Sequence, residues 1–222
     1  MSRIVITGAP GSGKTTLLLA LQARGYTIVR DTARAIIQDR RRRGLSPRPD
    51  PYVFAQETLR IDIENFVQHP ASQEPVFFER GVLDAVCGLD RLEPLSEIEL
   101  SVWLSKYRYF SKVFVLPPWK AIYVNDAERD HSFEHAELVN RITQEWYRRI
   151  GYQVVEVPMV PVDERCTFVL QALANSGAYS SDSLDCSETW CEPAWNTSTT
   201  FPGAPVETWN CKRRLLRLTW RR

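Results

Sequence analysis

The chain has 222 residues, enough to bury a sizeable core, and this length favours one domain over two. Its 28 lysines and arginines balance 27 aspartates and glutamates, so the composition gives no sign of a nucleic-acid-binding surface and we expect no specific nucleic-acid partner. No apolar run approaches the roughly 20 residues that a membrane-spanning helix needs, so no transmembrane segment is expected.

Strand-like and helix-like segments alternate along the first 174 residues. The predicted strands are, in chain order, RIVIT, YTIVR, PVFF, KVFVLPP and YQVVEVP. The predicted helices are TTLLLALQARG, DTARAIIQDRRRRG, YVFAQETLRIDIENFVQ, a helix that a capping box of Ser96 and Glu99 begins, residues 133–150, and VDERCTFVLQALANSG. Alternation of this kind predicts an α/β fold, with a parallel five-stranded sheet covered by helices on both faces.

The segment GAPGSGKTT, residues 8–16, lies between the first strand and the first helix. Its spacing fits the phosphate-binding loop G-x-x-x-x-G-K-[ST]. In such a loop the backbone N–H groups wrap a phosphate chain at a helix N-terminus, where the helix dipole favours negative charge. Lys14 is expected to neutralise the β- and γ-phosphates, and the Thr15 hydroxyl to ligate Mg²⁺. The predicted nucleotide-binding residues are Gly8, Ala9, Pro10, Gly11, Ser12, Gly13, Lys14, Thr15 and Thr16.

A strand before the loop and a helix after it are the context that this motif requires. The sequence therefore predicts a domain that binds a nucleoside triphosphate, with Lys14 as a catalytic residue. We expect the three-layer sandwich of a P-loop NTPase, with five parallel strands in the kinase-like order 2-3-1-4-5 and a lid.

Charged residues follow the second and third predicted strands, and ligands of open α/β sheets bind outside the carboxyl ends of strands. Asp31 and Arg34 lie one helical turn apart, while Glu79 and Arg80 follow the third strand, with Asp84 five residues beyond Glu79. Carboxylates there can hold magnesium or accept a proton from an attacking hydroxyl, and arginines can hold phosphate oxygens. The residues alone leave simpler roles open: helix caps for the two aspartates and an ion pair for the Glu-Arg dipeptide.

The ordered set of motifs resembles the AAA-type P-loop domain shared by bacterial nicotinamide-nucleotide regulator (ribosylnicotinamide kinase) proteins and the TRPL translocation defect protein. The resemblance covers about residues 2–174. It is carried by the phosphate-binding loop, acid-x-x-Arg, Glu-Arg-Gly-x-x-Asp, LPPW, IYVNDAERDHS and GYQVVEVP. The family more often has aspartate at position 79, and the sequence has no nucleoside-recognition signature. The resemblance implies ATP and Mg²⁺ as cofactors, and no guanine-binding Asn-Lys-x-Asp sequence is present.

The Glu-Arg-Gly segment is also similar to the Glu-Arg-Ser of deoxynucleoside kinases. This resemblance implies that Asp31 is the catalytic base, that Glu79 holds magnesium together with Thr15, and that Arg80 clamps the acceptor or a phosphate. The predicted acceptor-binding residues are Asp31, Arg34, Arg80 and Asp84.

The segment NDAERDHS falls between the fourth strand and the next helix, where small-molecule kinases of this architecture carry a mobile lid. Arg129 in this segment is predicted to be a catalytic residue that reaches over the triphosphate as an arginine finger supplied by the same chain. A solvated loop arginine is the alternative.

The composition changes at about residue 175, after which Ser, Thr, Pro and Gly are scattered without a sustained period. We expect residues 1–174 to form the kinase-like domain and residues 175–222 to be an irregular, disordered tail. The basic end of the tail, CKRRLLRLTWRR, could touch a membrane surface or nucleic acid, but a solvated tail is expected. Five irregularly spaced cysteines and the lack of a signal peptide favour reduced thiols and a cytoplasmic protein.

Two functions from different classes fit the sequence. One is a small-molecule kinase that transfers the γ-phosphoryl group of ATP to a hydroxyl of a nucleoside-like or other small acceptor. The other is a nucleotide-dependent binding module or switch with slow or no hydrolysis, in which the triphosphate orders the lid. A switch has no use for Asp31 and Arg34 at the edge of a cavity, so the sequence favours the kinase.

Overall fold

The computed structural model describes residues 3–47, 49–71, 74–123 and 132–175. All of them belong to the first of the two units into which the chain divides, Met1–Ala178. Residues 176–222 and Arg129 lie outside the described residues, so the expectations of a disordered tail and of an arginine finger remain predictions.

A five-stranded parallel sheet has the order β2-β3-β1-β4-β5, which confirms the order expected from the sequence. Its strands are Arg3–Gly8 (β1), Thr27–Val29 (β2), Val76–Glu79 (β3), Lys112–Leu116 (β4) and Gln153–Glu156 (β5). The central strand β1 is hydrogen-bonded to β3 on one side and to β4 on the other. The carboxyl ends of these three strands therefore meet at one edge of the sheet.

Helices cover both faces of the sheet, as the alternating pattern predicts. Their bounds are Lys14–Ala23 (α1), Thr32–Arg42 (α2), Pro51–Gln68 (α3), Val82–Leu92 (α4), Glu97–Lys106 (α5), Phe133–Arg149 (α6) and Val162–Leu173 (α7), with a 3₁₀ helix at Lys120–Ile122. The predicted capping box of Ser96 and Glu99 begins α5. Among the described residues no helix has the length and apolar character needed to cross a membrane.

Two apolar layers hold the helices on the sheet. On one face, Ile4 and Ile6 of β1 pack with Leu17 of α1 and with Val169 and Leu173 of α7, and all five side chains are at most 1% exposed. The opposite layer is built from aromatic rings. Its edge-to-face pairs are Phe66 with Tyr107, Phe66 with Tyr109, and Phe78 with Tyr109.

Deleting residues 176–222 should leave a domain that melts cooperatively, because the apolar layer between α1 and α7 is complete at Leu173. Circular dichroism on heating measures this. Deleting residues 162–222 instead removes α7 from the core, and this control should abolish the cooperative transition. An insoluble 1–175 chain, or one without a cooperative melt, would show that the tail belongs to the core.

Candidate functional site

The phosphate-binding loop joins β1 to α1 through three glycines with positive φ, namely 121° at Gly8, 78° at Gly11 and 84° at Gly13. Other residues rarely adopt these angles, which explains the glycines. At Gly8 an added Cβ would also overlap the backbone carbonyl of Leu116 on β4. Gly13 is the N-cap of α1 and offers no capping side chain, so the first turn of the helix keeps backbone N–H groups for a ligand.

Lys14 lies inside the loop, with only 6% of the residue exposed. Its Nζ donates hydrogen bonds to the carbonyl oxygens of Gly8 at 3.2 Å and Ala9 at 2.6 Å. The loop thus holds the ammonium group where the sequence motif predicts a phosphate contact.

Thr15 and Glu79 meet across the end of the sheet. The Thr15 hydroxyl donates a hydrogen bond of 2.8 Å to Oε1 of Glu79, which is the last residue of β3 and is 6% exposed. Hydroxyl and carboxylate oxygens suit Mg²⁺, which proteins commonly bind through one or two such groups together with the phosphates of a nucleotide. The donor set therefore fits the predicted magnesium site.

A cavity of about 460 Å³ opens in front of the loop. Lys14, Thr15 and Glu79 line it, together with Arg34 from the first turn of α2 and Arg165 from the first turn of α7. The structure thus brings the predicted acceptor residue Arg34 to the same cavity as the phosphate-binding loop.

Arg80 follows β3 directly and is the one non-glycine residue with positive φ, 64°, among the residues that the structure describes. Its Nε is buried and has no hydrogen-bond partner in the described part of the chain. Burial alone would lower the pKa of this guanidinium, but the negative charges of Asp31, Asp84, Glu79 and Asp62 outweigh it and raise the pKa. Arg80 is therefore under the combined electrostatic influence of four carboxylates.

Asp31 is the N-cap of α2, and its Oδ1 accepts a hydrogen bond of 2.9 Å from the backbone N–H of Ala33. The capping role and a place near Arg80 are therefore compatible. Of the four carboxylates, Asp31 contributes most to the raised pKa of Arg80. The role of Asp31 as the catalytic base remains a prediction.

Asp84 does not cap a helix, because the N-cap of α4 is Gly81. Its two carboxylate oxygens accept hydrogen bonds from the hydroxyl groups of Thr7, at 2.5 Å, and Tyr147, at 2.7 Å. Burial raises the pKa of Asp84, while Arg80 and these two hydroxyl groups act in the opposite direction. Asp84 thus connects β1 and α6 beside Arg80, and its contact with an acceptor remains a prediction.

Asp62 is a carboxylate of this group that sequence reasoning missed. It lies on α3 and is 8% exposed, with a hydrogen bond to the side chain of Thr32. Burial raises the pKa of Asp62 to about 7. Asp62 lies between Leu59 and Phe66 on the buried face of α3, and a carboxylate within an apolar stripe was the signal that could have identified it.

Arg165 was missed as well. It is 6% exposed, and its Nη1 lies 3.5 Å from the carbonyl oxygen of Ser12 in the phosphate-binding loop. Cys166 and Val169 share the buried side of α7 with it. A cation among these apolar residues was the available signal, but only the packing of α7 on α1 brings it to the loop.

A parallel sheet in the order 2-3-1-4-5, with a phosphate-binding loop after its central strand, defines the protein as a P-loop domain of the kinase-like type. A family model described as an AAA domain matches residues 3–165. The chain belongs to this family, which confirms the resemblance to an AAA-type P-loop domain.

The solved structures that are similar to the chain include three kinds of protein. Deoxyadenosine kinase from M. mycoides with bound dATP has 15% identity and a TM-score of 0.55, over 78% of this chain and 100% of that one. Shikimate kinase from Acinetobacter baumannii in complex with shikimate has 16% identity and a TM-score of 0.50, and the match covers 79% of this chain and 94% of that one. The NadR protein in complex with NR has 18% identity and a TM-score of 0.54, and the match covers 83% of this chain and 54% of that one. These likenesses show the fold, and no curated protein matches the sequence.

Asp62→Asn should make the free energy of unfolding less dependent on pH. The pKa of Asp62 is about 7 in the folded chain, raised from 3.8, so its stabilising contribution is complete below about pH 4 and is lost as the pH rises through 7. The wild type should therefore lose up to about 1.4 kcal/mol per pH unit relative to the variant between these limits. Urea unfolding at pH 5, 6 and 7 measures this.

Glu64→Gln is the matched control, because Glu64 lies on the exposed side of the same helix and pairs there with Arg60. An exposed ion pair contributes little to stability, so this variant should follow the wild type at each pH. Parallel curves for Asp62→Asn and the wild type would contradict a buried, titrating Asp62.

Proposed function

We propose that the protein is a small-molecule kinase, which transfers the γ-phosphoryl group of ATP to a hydroxyl of a nucleoside-like or other small acceptor, with Mg²⁺. The observation that carries the proposal is the different environment of two consecutive residues at the end of β3. Glu79 accepts a hydrogen bond from Thr15 of the phosphate-binding loop, and Arg80 lies within a group of carboxylates that includes Asp31. In the proposed kinase, a nucleotide side and an acceptor side would therefore adjoin at one strand end.

The nucleotide side would act by positioning and charge. The backbone N–H groups of the loop and the start of α1 would hold the phosphates, and Lys14 would neutralise them. Thr15 and Glu79 would hold Mg²⁺, which neutralises phosphate charge when it is bound.

The acceptor side would orient and deprotonate a hydroxyl group. Asp31 would accept the hydroxyl proton while the acceptor oxygen forms its bond to the γ-phosphorus and the bond between that phosphorus and the bridging oxygen of ADP breaks. Arg80 and Arg34 would hold the acceptor or the transferred group. Two proteins of this fold are named as kinases of small molecules, which supports phosphoryl transfer.

A panel of nucleosides and vitamin-like alcohols tests the proposal, with ADP formation and a phosphorylated product measured together. A product that depends on one acceptor supports the kinase. Nucleotide binding without a product from any acceptor would instead favour the switch, in which the triphosphate orders a surface for a partner.

Lys14→Ala should abolish productive binding of Mg·ATP, because it removes the cation from inside the loop without touching the apolar layers. Calorimetry measures the affinity, and near-ultraviolet circular dichroism checks that the domain stays folded. Lys106→Ala, an exposed lysine at the end of α5, is the control and should bind like the wild type. Unchanged affinity in Lys14→Ala would contradict nucleotide binding at this loop.

Asp31→Asn should lower turnover by about 10²–10⁴-fold, because asparagine cannot accept the proton. Affinity for Mg·ATP should change little, and α2 should stay capped because asparagine is an equally good N-cap.

Glu79→Gln should instead raise the Mg²⁺ concentration needed for nucleotide binding, because a neutral amide is a weaker magnesium ligand. Titration of ATP affinity against Mg²⁺, in both variants, separates the two roles. Equal loss of nucleotide binding in Asp31→Asn and Glu79→Gln would mean that Asp31 belongs to the metal site rather than to the acceptor.

A further inference from the structure

Two arginines with a buried Nε lie close to the phosphate-binding site, and the charges around them differ. Arg80 is among four carboxylates, which raise its pKa. Arg165 forms no ion pair with any described residue, and burial lowers its pKa. The negative charge that would compensate the burial of Arg165 is therefore not supplied by the described part of the chain.

The side chain of Arg165 lies directly against the phosphate-binding loop. An added Cβ on Gly13 would lie 2.8 Å from Nη1 of Arg165, so the guanidinium packs directly on the glycine backbone. Nη1 is also at the limit of hydrogen-bond distance, 3.5 Å, from the carbonyl oxygen of Ser12. The side chain of Arg165 lines the same cavity as Lys14 and Thr15.

The hydrogen-bonding capacity of this guanidinium is largely unused. A guanidinium has five N–H donors, whereas among the described residues Nε of Arg165 is buried without a partner and Nη1 has the one long contact. Trp119 compensates part of the cost of burying this positive charge, since Cζ of Arg165 lies 5.5 Å from the centre of the Trp119 ring, within the range of a cation–π interaction.

Burying a cation without an anion costs free energy, and an oxyanion that enters the cavity would offset this cost by pairing with the cation. Phosphate oxygens match the donor geometry of arginine and form charge-assisted hydrogen bonds with it. The cavity already contains the phosphate-binding loop, so the anion that fits is part of the nucleotide that the loop is proposed to bind.

We propose that Arg165 binds a phosphate oxygen of the nucleotide, so that the triphosphate is held between Lys14 of α1 and Arg165 of α7. This inference rests on the proposed nucleotide binding and adds a residue to it. It makes α7, which is distant in sequence from the loop, a part of the phosphate site.

Arg165→Met tests the inference in the full-length protein, because methionine keeps an apolar stem and removes the charge and the donors. The affinities of Mg·ATP and of inorganic tripolyphosphate are measured for each variant by calorimetry. Both should fall together by roughly 10- to 100-fold, the value of one or more hydrogen bonds to a charged group. Arg165→Lys should recover part of both affinities, because it restores the positive charge.

The outcomes separate the inference from the function on which it rests. If the wild type binds neither ligand, nucleotide binding itself fails and the inference fails with it. If the wild type binds both and Arg165→Met binds them equally well, only the inference is overturned. If ATP affinity falls and tripolyphosphate affinity does not, Arg165 contacts the nucleoside and the phosphate assignment is wrong.

A merely structural Arg165 is distinguished by the ligand-free protein. Removing a buried cation that has no anionic partner among the described residues should leave the melting temperature of Arg165→Met equal to or above that of the wild type, while the rise in melting temperature on adding Mg·ATP becomes smaller. A lower melting temperature without ligand, with an unchanged rise on adding it, would overturn the inference.

Arg24→Met is the matched control for the loss of an arginine near α7. Arg24 pairs with Asp163 of α7 but does not line the cavity. Its replacement should therefore leave both affinities unchanged, and an equal loss in Arg24→Met would show that general positive charge, rather than the position of Arg165, attracts the ligand.

Discussion

The close approach of β1 and β4 at Gly8 is the constraint on which the site depends. The backbone carbonyl of Leu116 occupies the space that a side chain at position 8 would need, and it also accepts a hydrogen bond of 3.3 Å from the N–H of Ala9. Position 8 therefore has to be a glycine, which adopts a φ of 121° where the chain leaves β1. The loop closes over the ammonium group of Lys14, and α1 begins where Thr15 reaches Glu79.

Charge is distributed unevenly over the site that this constraint creates. Beyond β3, four carboxylates act electrostatically on Arg80, and one of them, Asp62, comes from a helix that the motifs do not include. On the loop side, Lys14 and Arg165 face one cavity, and Arg165 has no carboxylate partner among the described residues. This separation suits an anionic nucleotide, which would compensate the charges of Lys14 and Arg165, beside a hydroxyl-bearing acceptor that would hydrogen-bond to carboxylates.

The sequence predicted the parts of the fold that depend on local pattern. Short apolar runs and capped helices predict the five strands and most of the helices, and the phosphate-binding loop indicates which strand is central. Asp62 and Arg165 could not be predicted in the same way, because their importance arises from tertiary packing. The side of α3 that carries Asp62 faces Arg80 only once α2, α3 and β3 are assembled, and Arg165 reaches Gly13 only because α7 packs on α1. For Asp84 the sequence left a helix cap open as the alternative to an acceptor contact, but its oxygens accept hydrogen bonds from Thr7 and Tyr147, which only packing brings close.

Calorimetric titration of the wild-type protein with ATP, in excess Mg²⁺ and again after its chelation, measures most directly whether the charged cavity is a nucleotide site. Saturable binding of one nucleotide per chain is predicted in Mg²⁺, and the affinity should fall at least about tenfold without it, because Thr15 and Glu79 then lack the ion that connects them to the phosphates. The absence of saturable binding under both conditions would contradict the assignment of this cavity to a nucleoside triphosphate.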